Sequence, residues 1–407
     1  MSLDTRRPEA LRPMRQRPTR RRPPPRHRRR PTQRTYWRRR VVAILAIVGL
    51  WLTWSLGSAL LAPGTDSIMA KGAQWARLHH FGWAVTLAEK VQYEFTKPET
   101  GGSVEAVPTV APVAAEPTPT PSTEATPTLP PTSSAPGNIV PIAAGTVENE
   151  GLWQDLKTLP NGQVAIRGTY LRPDTEHTGY LAGIVWMDPK LARFSLHPGL
   201  KVPGDTGWAQ ETQVPETLRG SLLGTFNSGF MIVDAHGGYW QQGKQVGDLV
   251  PGAASMVFSE DGTVDVRSWE GGAPTAGIAA VRQNLVLMVD NGEITPAVTN
   301  ANVTAQWGAT VGNAAFVWRS GVGVRSDGTV VFVGGDALSI QSLAELLKRA
   351  GCVRAMELDI NKAWVNFMTY HQENGQTIGT MFTASDEPLA DRYLTPSNRD
   401  FVALYAR

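Results

Sequence analysis

The chain has 407 residues, more than one globular domain needs, and its formal charge of +3 hides a steep asymmetry. Residues 1–40 hold 16 Arg against two acids, Asp4 and Glu9, a net +14 that leaves −11 for the rest. A single cysteine, Cys352, excludes an intrachain disulfide and a cysteine-based metal cluster. The seven histidines form no H-E-x-x-H pair, and neither G-x-x-x-x-G-K-[ST] nor a post-strand G-x-G-x-x-G occurs, so no zinc and no nucleotide or other cofactor is expected.

Residues 1–40 alternate Arg with Pro and lack the apolar residues that drive folding. They read as a disordered cytoplasmic tail that sets membrane topology and touches lipid headgroups, with no nucleic-acid partner expected. Residues 41–62 follow, VVAILAIVGLWLTWSLGSALLA, without a charge. A helix rising ~1.5 Å per residue needs about 20 apolar residues to cross a bilayer, so this run spans. Arg38, Arg39 and Arg40 abut it on one side, and the first charge beyond it is Asp66. The positive-inside rule then predicts a single-pass plasma-membrane protein with a cytoplasmic N-terminus and an extracellular C-terminal region. A cleaved signal peptide is the alternative, disfavoured by the length of its basic and apolar parts.

Residues 63–100 are predicted to form a juxtamembrane helical segment, with Met69, Trp75, Leu78, Trp83, Leu87 and Val91 on its apolar stripe and a break near Gly82. Residues 101–137 contain nine prolines and no aromatic residue, the composition of an extended linker. At ~3.1 Å per residue it would reach about 110 Å.

The body, 138–407, is rich in strand and turn signals. Asp261-Gly262, Asn291-Gly292 and Asp327-Gly328 each sit between apolar-alternating runs and predict three hairpins. One clear helix follows, capped by Ser339, with Ile340, Leu343, Leu346 and Leu347 on its apolar face and Gly351 closing it. The pattern predicts an α+β body with mainly antiparallel sheet and few helices.

The strand after that helix, VRAMELDI (353–360), carries the chemistry. Alternation places Met356, Leu358 and Ile360 on one face, to be covered by the helix, and Glu357, Asp359 and Asn361 on the other. Like charges about 6.6–7 Å apart along a strand repel unless a cation or ligand lies between them, and Arg319 is the candidate cation. A structural salt bridge at a sheet edge is the equal alternative. Binding of Ca²⁺ or Mg²⁺ by Glu357, Asp359 and Asp336 is a third reading, against which Arg319 works. Asn227-Ser228-Gly229 interrupts a strand-like run where glycine permits close backbone approach. Gly-Val-Gly after Arg319-Ser320 reads as a bulge or close-approach strand. Arg172 and His177 lie in what reads as an ordinary polar loop before a strand.

Taken in order, these pieces resemble the phosphodiester glycosidase family, which includes the lysosomal uncovering enzyme. FNSGF (226–230) is similar to its N-G-G-F-F signature, WRSGVGVRSDGTVVFV (318–333) to its R-[ST]-[AG]-[IV]-G segment with the following D-G turn, and SIQSLAELLKRAGCVRAMELD (339–359) to its helix and strand. The resemblance implies hydrolysis of a sugar-1-phosphodiester, here in a cell-envelope polysaccharide or glycoconjugate. It places Asn227 and Gly229 at the substrate, Arg319 with neighbouring Ser320 at the phosphate, and Asp359 at the reacting centre. Glu357 is the second carboxyl and Asn361 helps orient the sugar. The fit is chemical: a guanidinium matches an anionic diester, and cleaving a glycosidic bond needs a carboxyl for acid–base work. The departures are plain. Where the family continues L-D-G-G-G-S, this chain has Leu358-Asp359-Ile360-Asn361-Lys362-Ala363; Glu357 replaces Asn and Met231 the second Phe. A divergent hydrolase and a noncatalytic glycan-binding or scaffold module on a proline stalk both remain open.

Overall fold

The structure is a computed structural model and describes residues 33–62, 67–85, 87–88, 91, 97–109, 132–204, 207–300, 307, 316–383 and 389–407. It divides into two compact units, 1–55 and 56–407. The first holds most of α1 (Gln33–Leu60), whose stretch Tyr36–Leu60 is long and apolar enough to cross a membrane. That helix starts earlier than expected, taking in Arg38–Arg40; most of the arginine tail lies outside the described residues.

In the second unit, α2 (Ile68–Leu78) ends where His80 turns left-handed (φ 63°), slightly before the break expected at Gly82. The expected apolar stripe is largely exposed, Met69 at 77 % and Trp83 at 68 %. The flanks of the proline-rich segment lie on the body. Val107 is buried in its core, the Ser133 backbone N–H and hydroxyl both donate to Asp188, and Gln154 donates to the Pro108 carbonyl. Residues 110–131 lie outside the described residues.

The body is α+β, built from three sheets whose strand pairs are antiparallel. The largest runs β1 (Gln154–Thr158), β2 (Val164–Leu171), β3 (Ala182–Met187), β14 (Val330–Leu338), β13 (Val317–Arg325), β15 (Cys352–Glu357), β11 (Leu287–Asp290), β12 (Glu293–Ile294). A second runs β7 (Lys244–Val246), β6 (Tyr239–Gln241), β10 (Ile278–Gln283), β8 (Ala254–Ser259), β9 (Val264–Ser268). The third runs β17 (Gln376–Met381), β16 (Phe367–Glu373), β5 (Leu222–Asn227), β18 (Phe401–Ala406), β4 (Ala192–His197). The three predicted hairpins are β8–β9, β11–β12 and β13–β14.

Alternation along the central strands sets the layers. Val330 and Phe332 of β14, Val322 and Val324 of β13, and Met356 pack into one core with Phe226, Met256, Phe258 and Val402 from the two smaller sheets. Val331, Val333 and Ala355 face the other way, into a core with Leu343, Leu346 and Leu347 of α3 (Ile340–Arg349). This corrects one expectation. Met356 and Leu358 are covered by the small sheets, because the helix returns onto the opposite face of the strand it precedes.

The glycines of Arg319-Ser320-Gly321-Val322-Gly323 serve that packing. A Cβ on Gly321 would lie 3.0 Å from Leu347 Cδ1 of α3, and one on Gly323 would lie 2.7 Å from Cys352 Sγ. Of the two readings of Gly-Val-Gly, the close-approach strand is the observed one.

Candidate active site

Three strand ends meet at one edge of the body. β15 delivers Glu357 and, just beyond its end, Asp359; β5 ends at Asn227; β18 is preceded by Arg399 and Asp400, with Phe401 opposite Asn227. Asp359 is bonded at both oxygens. Its Oδ1 accepts from the backbone N–H of Ile360 (2.8 Å) and Asn361 (3.0 Å), and its Oδ2 from Arg399 Nη2 (2.8 Å) and Asn227 Nδ2 (3.2 Å). Ser320 pins the strand end: its N–H donates to the Asp359 carbonyl (2.8 Å), and its carbonyl accepts from Leu358 (2.7 Å). Asn361 turns inward on its own loop, where Oδ1 accepts from the Ala363 N–H (2.9 Å).

Among the described residues, the carboxylate that Arg319 pairs with is Glu357. Its Nη1 donates to Oε1 at 2.6 Å and its Nε to the Leu338 carbonyl at 3.0 Å, with side-chain exposure of 3 % and 0 % for the pair. The strand β14 opposite is irregular here: register shifts between Val317 and Arg319, and Ala337 sits at φ 55°. Such a bulge re-aims side chains at a sheet end. Glu357 is in register with Gly321 and so faces α3. The expected cluster therefore resolves into two ion pairs, Arg319–Glu357 and Arg399–Asp359, with Asn227 in the second.

The two carboxyls differ in their electrostatics. Burial pushes Glu357 up to about 7 against the pull of Arg319, and its Oε2 is buried without a partner. Burial also raises Asp359, opposed first by Arg399, then by the backbone N–H groups of Asn361 and Ile360 and the charge of Arg77. Arg77 is brought in by α2, where it lies 3.7 Å from Asp234.

A buried polar frame holds the Asn227–Phe230 loop. Gly229 is at φ 154°, and its carbonyl accepts from Asn227 Nδ2 (3.2 Å) and Arg399 Nη2 (2.6 Å). Asn284 Nδ2 donates to the carbonyls of Glu357 and Leu358, and its Oδ1 accepts from the Phe230 N–H. Arg282 donates to Asp400 (2.5 Å) and to the Phe230 carbonyl, wholly buried. Arg282, Asn284, Arg399 and Asp400 escaped the sequence reading. The signals were there: Arg-Gln-Asn closing an apolar strand, and Asn-Arg-Asp just before the last one. Arg172 and His177, read as loop residues, pair with Glu150 (2.9 Å) and Asp174 (3.0 Å). Among the described residues no group of His, Cys, Asp and Glu is arranged to hold a metal ion.

Residues 220–359 match the family model of the phosphodiester glycosidases. The matched segment takes in Asn227, Gly229, Arg319, Ser320, Glu357 and Asp359, stopping short of Asn361 and Arg399. No curated protein matches the chain. Among solved structures, it is similar to the zebrafish N-acetylglucosamine-1-phosphodiester alpha-N-acetylglucosaminidase catalytic domain auto-inhibited by pro-peptide, at 16% identity over 63% of this chain and 87% of that one, TM-score 0.39. A hypothetical protein from Synechocystis (13% identity, 60% and 62%, TM-score 0.31) and a protein from Burkholderia pseudomallei described as exported (12%, 56% and 74%, TM-score 0.29) are also similar.

Proposed function

We propose that the chain is a membrane-anchored hydrolase that cleaves a sugar-1-phosphodiester in an envelope polysaccharide or glycoconjugate, with α1 as anchor and the body outside the membrane. The observation that carries this is the convergence on Asp359 of Asn227 and Arg399, from positions 132 and 40 residues away, at the end of the segment 220–359 that matches the phosphodiester glycosidase family model. Glycoside cleavage uses two carboxyls in opposite protonation states. Asp359, whose carboxyl burial raises while Arg399 and the backbone N–H groups of Asn361 and Ile360 oppose that rise, stands at the reacting centre. Glu357, which burial raises to about 7, is the second carboxyl of the pair, and Arg319 keeps it in place. Asn227, Gly229 and Asn361 shape the sugar side, and Ser320 fixes the strand end.

The test uses full-length chain extracted from membranes in detergent and a panel of sugar-1-phosphodiesters, with products read by mass spectrometry. The parent releases free sugar, Asp359→Asn lowers the rate at least about 100-fold, and the intact mass retains residues 33–60. No release from any diester would remove the hydrolase reading, and loss of α1 from the mature protein would remove the anchor.

A further inference from the structure

Arg399 holds Asp359 without using its whole donor set. Nη2 makes both bonds described above, whereas the Nε–H is buried and unbonded. A guanidinium presents its N–H groups as a planar fork suited to two oxygens at once. Asp359 cannot fill that fork, because its Oδ1 is committed to the N–H groups of Ile360 and Asn361 and only Oδ2 reaches Arg399. Two further buried atoms in the adjoining loop, Asn227 Oδ1 and Ser228 Oγ, also lack partners. Buried polar groups are ordinarily satisfied, so several unpaired ones beside one ion pair point to a place where something else binds. The Arg399 guanidinium carbon lies over the Trp364 ring, 4.8 Å from its centroid, within cation–π range. The pair sits just beneath the surface, with side-chain exposures of 6 % and 4 %.

We propose that Arg399–Asp359 is an exchangeable ion pair: the substrate's phosphodiester takes Arg399 through both Nε and Nη2, and in doing so frees Asp359 Oδ2 for the reaction. This rests on the reading of the site as one for a phosphodiester. A diester has two free oxygens and can be bidentate where Asp359 is monodentate, and Ser228 Oγ–H adds a donor. Arg77 offsets part of the added negative charge. Once Arg399 has turned to the phosphate, the Asp359 carboxylate loses its main counter-charge and becomes a stronger base only when substrate is present.

Calorimetric titration of the full chain with inorganic phosphate tests the exchange. The arginine-rich N-terminus adds the same background to every variant, so differences report the site. Asp359→Asn, which removes the competing charge, binds phosphate about tenfold more tightly than the parent, on the order of one hydrogen bond's worth of affinity. Arg399→Gln loses that binding, and Arg399→Lys, which keeps the charge but not the fork, retains a weakened form of it. Equal binding by Arg399→Gln and parent, or no gain in Asp359→Asn, would overturn the proposal. Should Arg399→Gln melt before it can be titrated, the Asp359→Asn and Arg399→Lys results decide alone. Exchange without hydrolysis of any diester would sink the hydrolase reading and leave the exchange standing; hydrolysis without exchange would do the reverse.

Discussion

At the residue scale, the site is a contrast between two buried carboxyls that each own an arginine. The Arg319–Glu357 pair makes a pH-dependent prediction. The Glu357 carboxyl is raised from 4.5 to about 7, so the folded state binds a proton more tightly than the unfolded chain. Its contribution to stability is complete below pH 4.5 and is lost as pH rises through 7. Arg319→Met removes the opposing positive charge and pushes that carboxyl higher still. The variant's deficit in unfolding free energy is therefore constant near pH 5 and widens above pH 7, by roughly 1.4 kcal/mol per pH unit until Glu357 ionises. Denaturant titrations at pH 5, 7 and 8.5 measure it, and a deficit independent of pH would show that Glu357 is not held by Arg319. Glu357, Asp359, Asn227 and Arg319 were legible in the sequence because each lies in a short run whose residue types are unusual for a strand. Arg399 and Arg282 were not, because their partners lie 40 and 118 residues away and alternation says nothing about which distant strand end will meet them.

At the element scale, the face of β13 toward α3 is held by close backbone approach. β13 runs between β14 and β15, and Gly323 faces Cys352 Sγ, the Arg354 carbonyl and Ala355 Cβ, all within 3 Å of where its Cβ would be. Two of those neighbours are parts of a paired strand and cannot swing aside. Gly323→Ala is expected to cost about 1–3 kcal/mol, read as a shift of the urea midpoint with the slope unchanged. A midpoint equal to the parent's would mean that β15 yields at no cost. The three hairpins were legible because a D-G or N-G turn fixes the pairing of its own flanks. Which face α3 covers was not: local pattern says that a strand has two sides, and only the packing of the small sheets decides which one the helix receives.

At the scale of the whole molecule, the antiparallel class and the apolar helix followed from composition and periodicity. The assembly of three sheets did not, since the third joins β4, β5, β16, β17 and β18 from across 215 residues. That long-range sheet builds the candidate site, because its β5 and β18 ends carry Asn227 and Arg399 to Asp359. The most direct measurement is a crystal structure of the chain soaked with a non-hydrolysable sugar-1-phosphonate. The phosphonate oxygens are expected within hydrogen-bond distance of Arg399 Nε and Nη2, with Asp359 Oδ2 turned away from that guanidinium and toward the anomeric carbon. A phosphonate bound elsewhere, with the Arg399–Asp359 bond intact, would contradict the account.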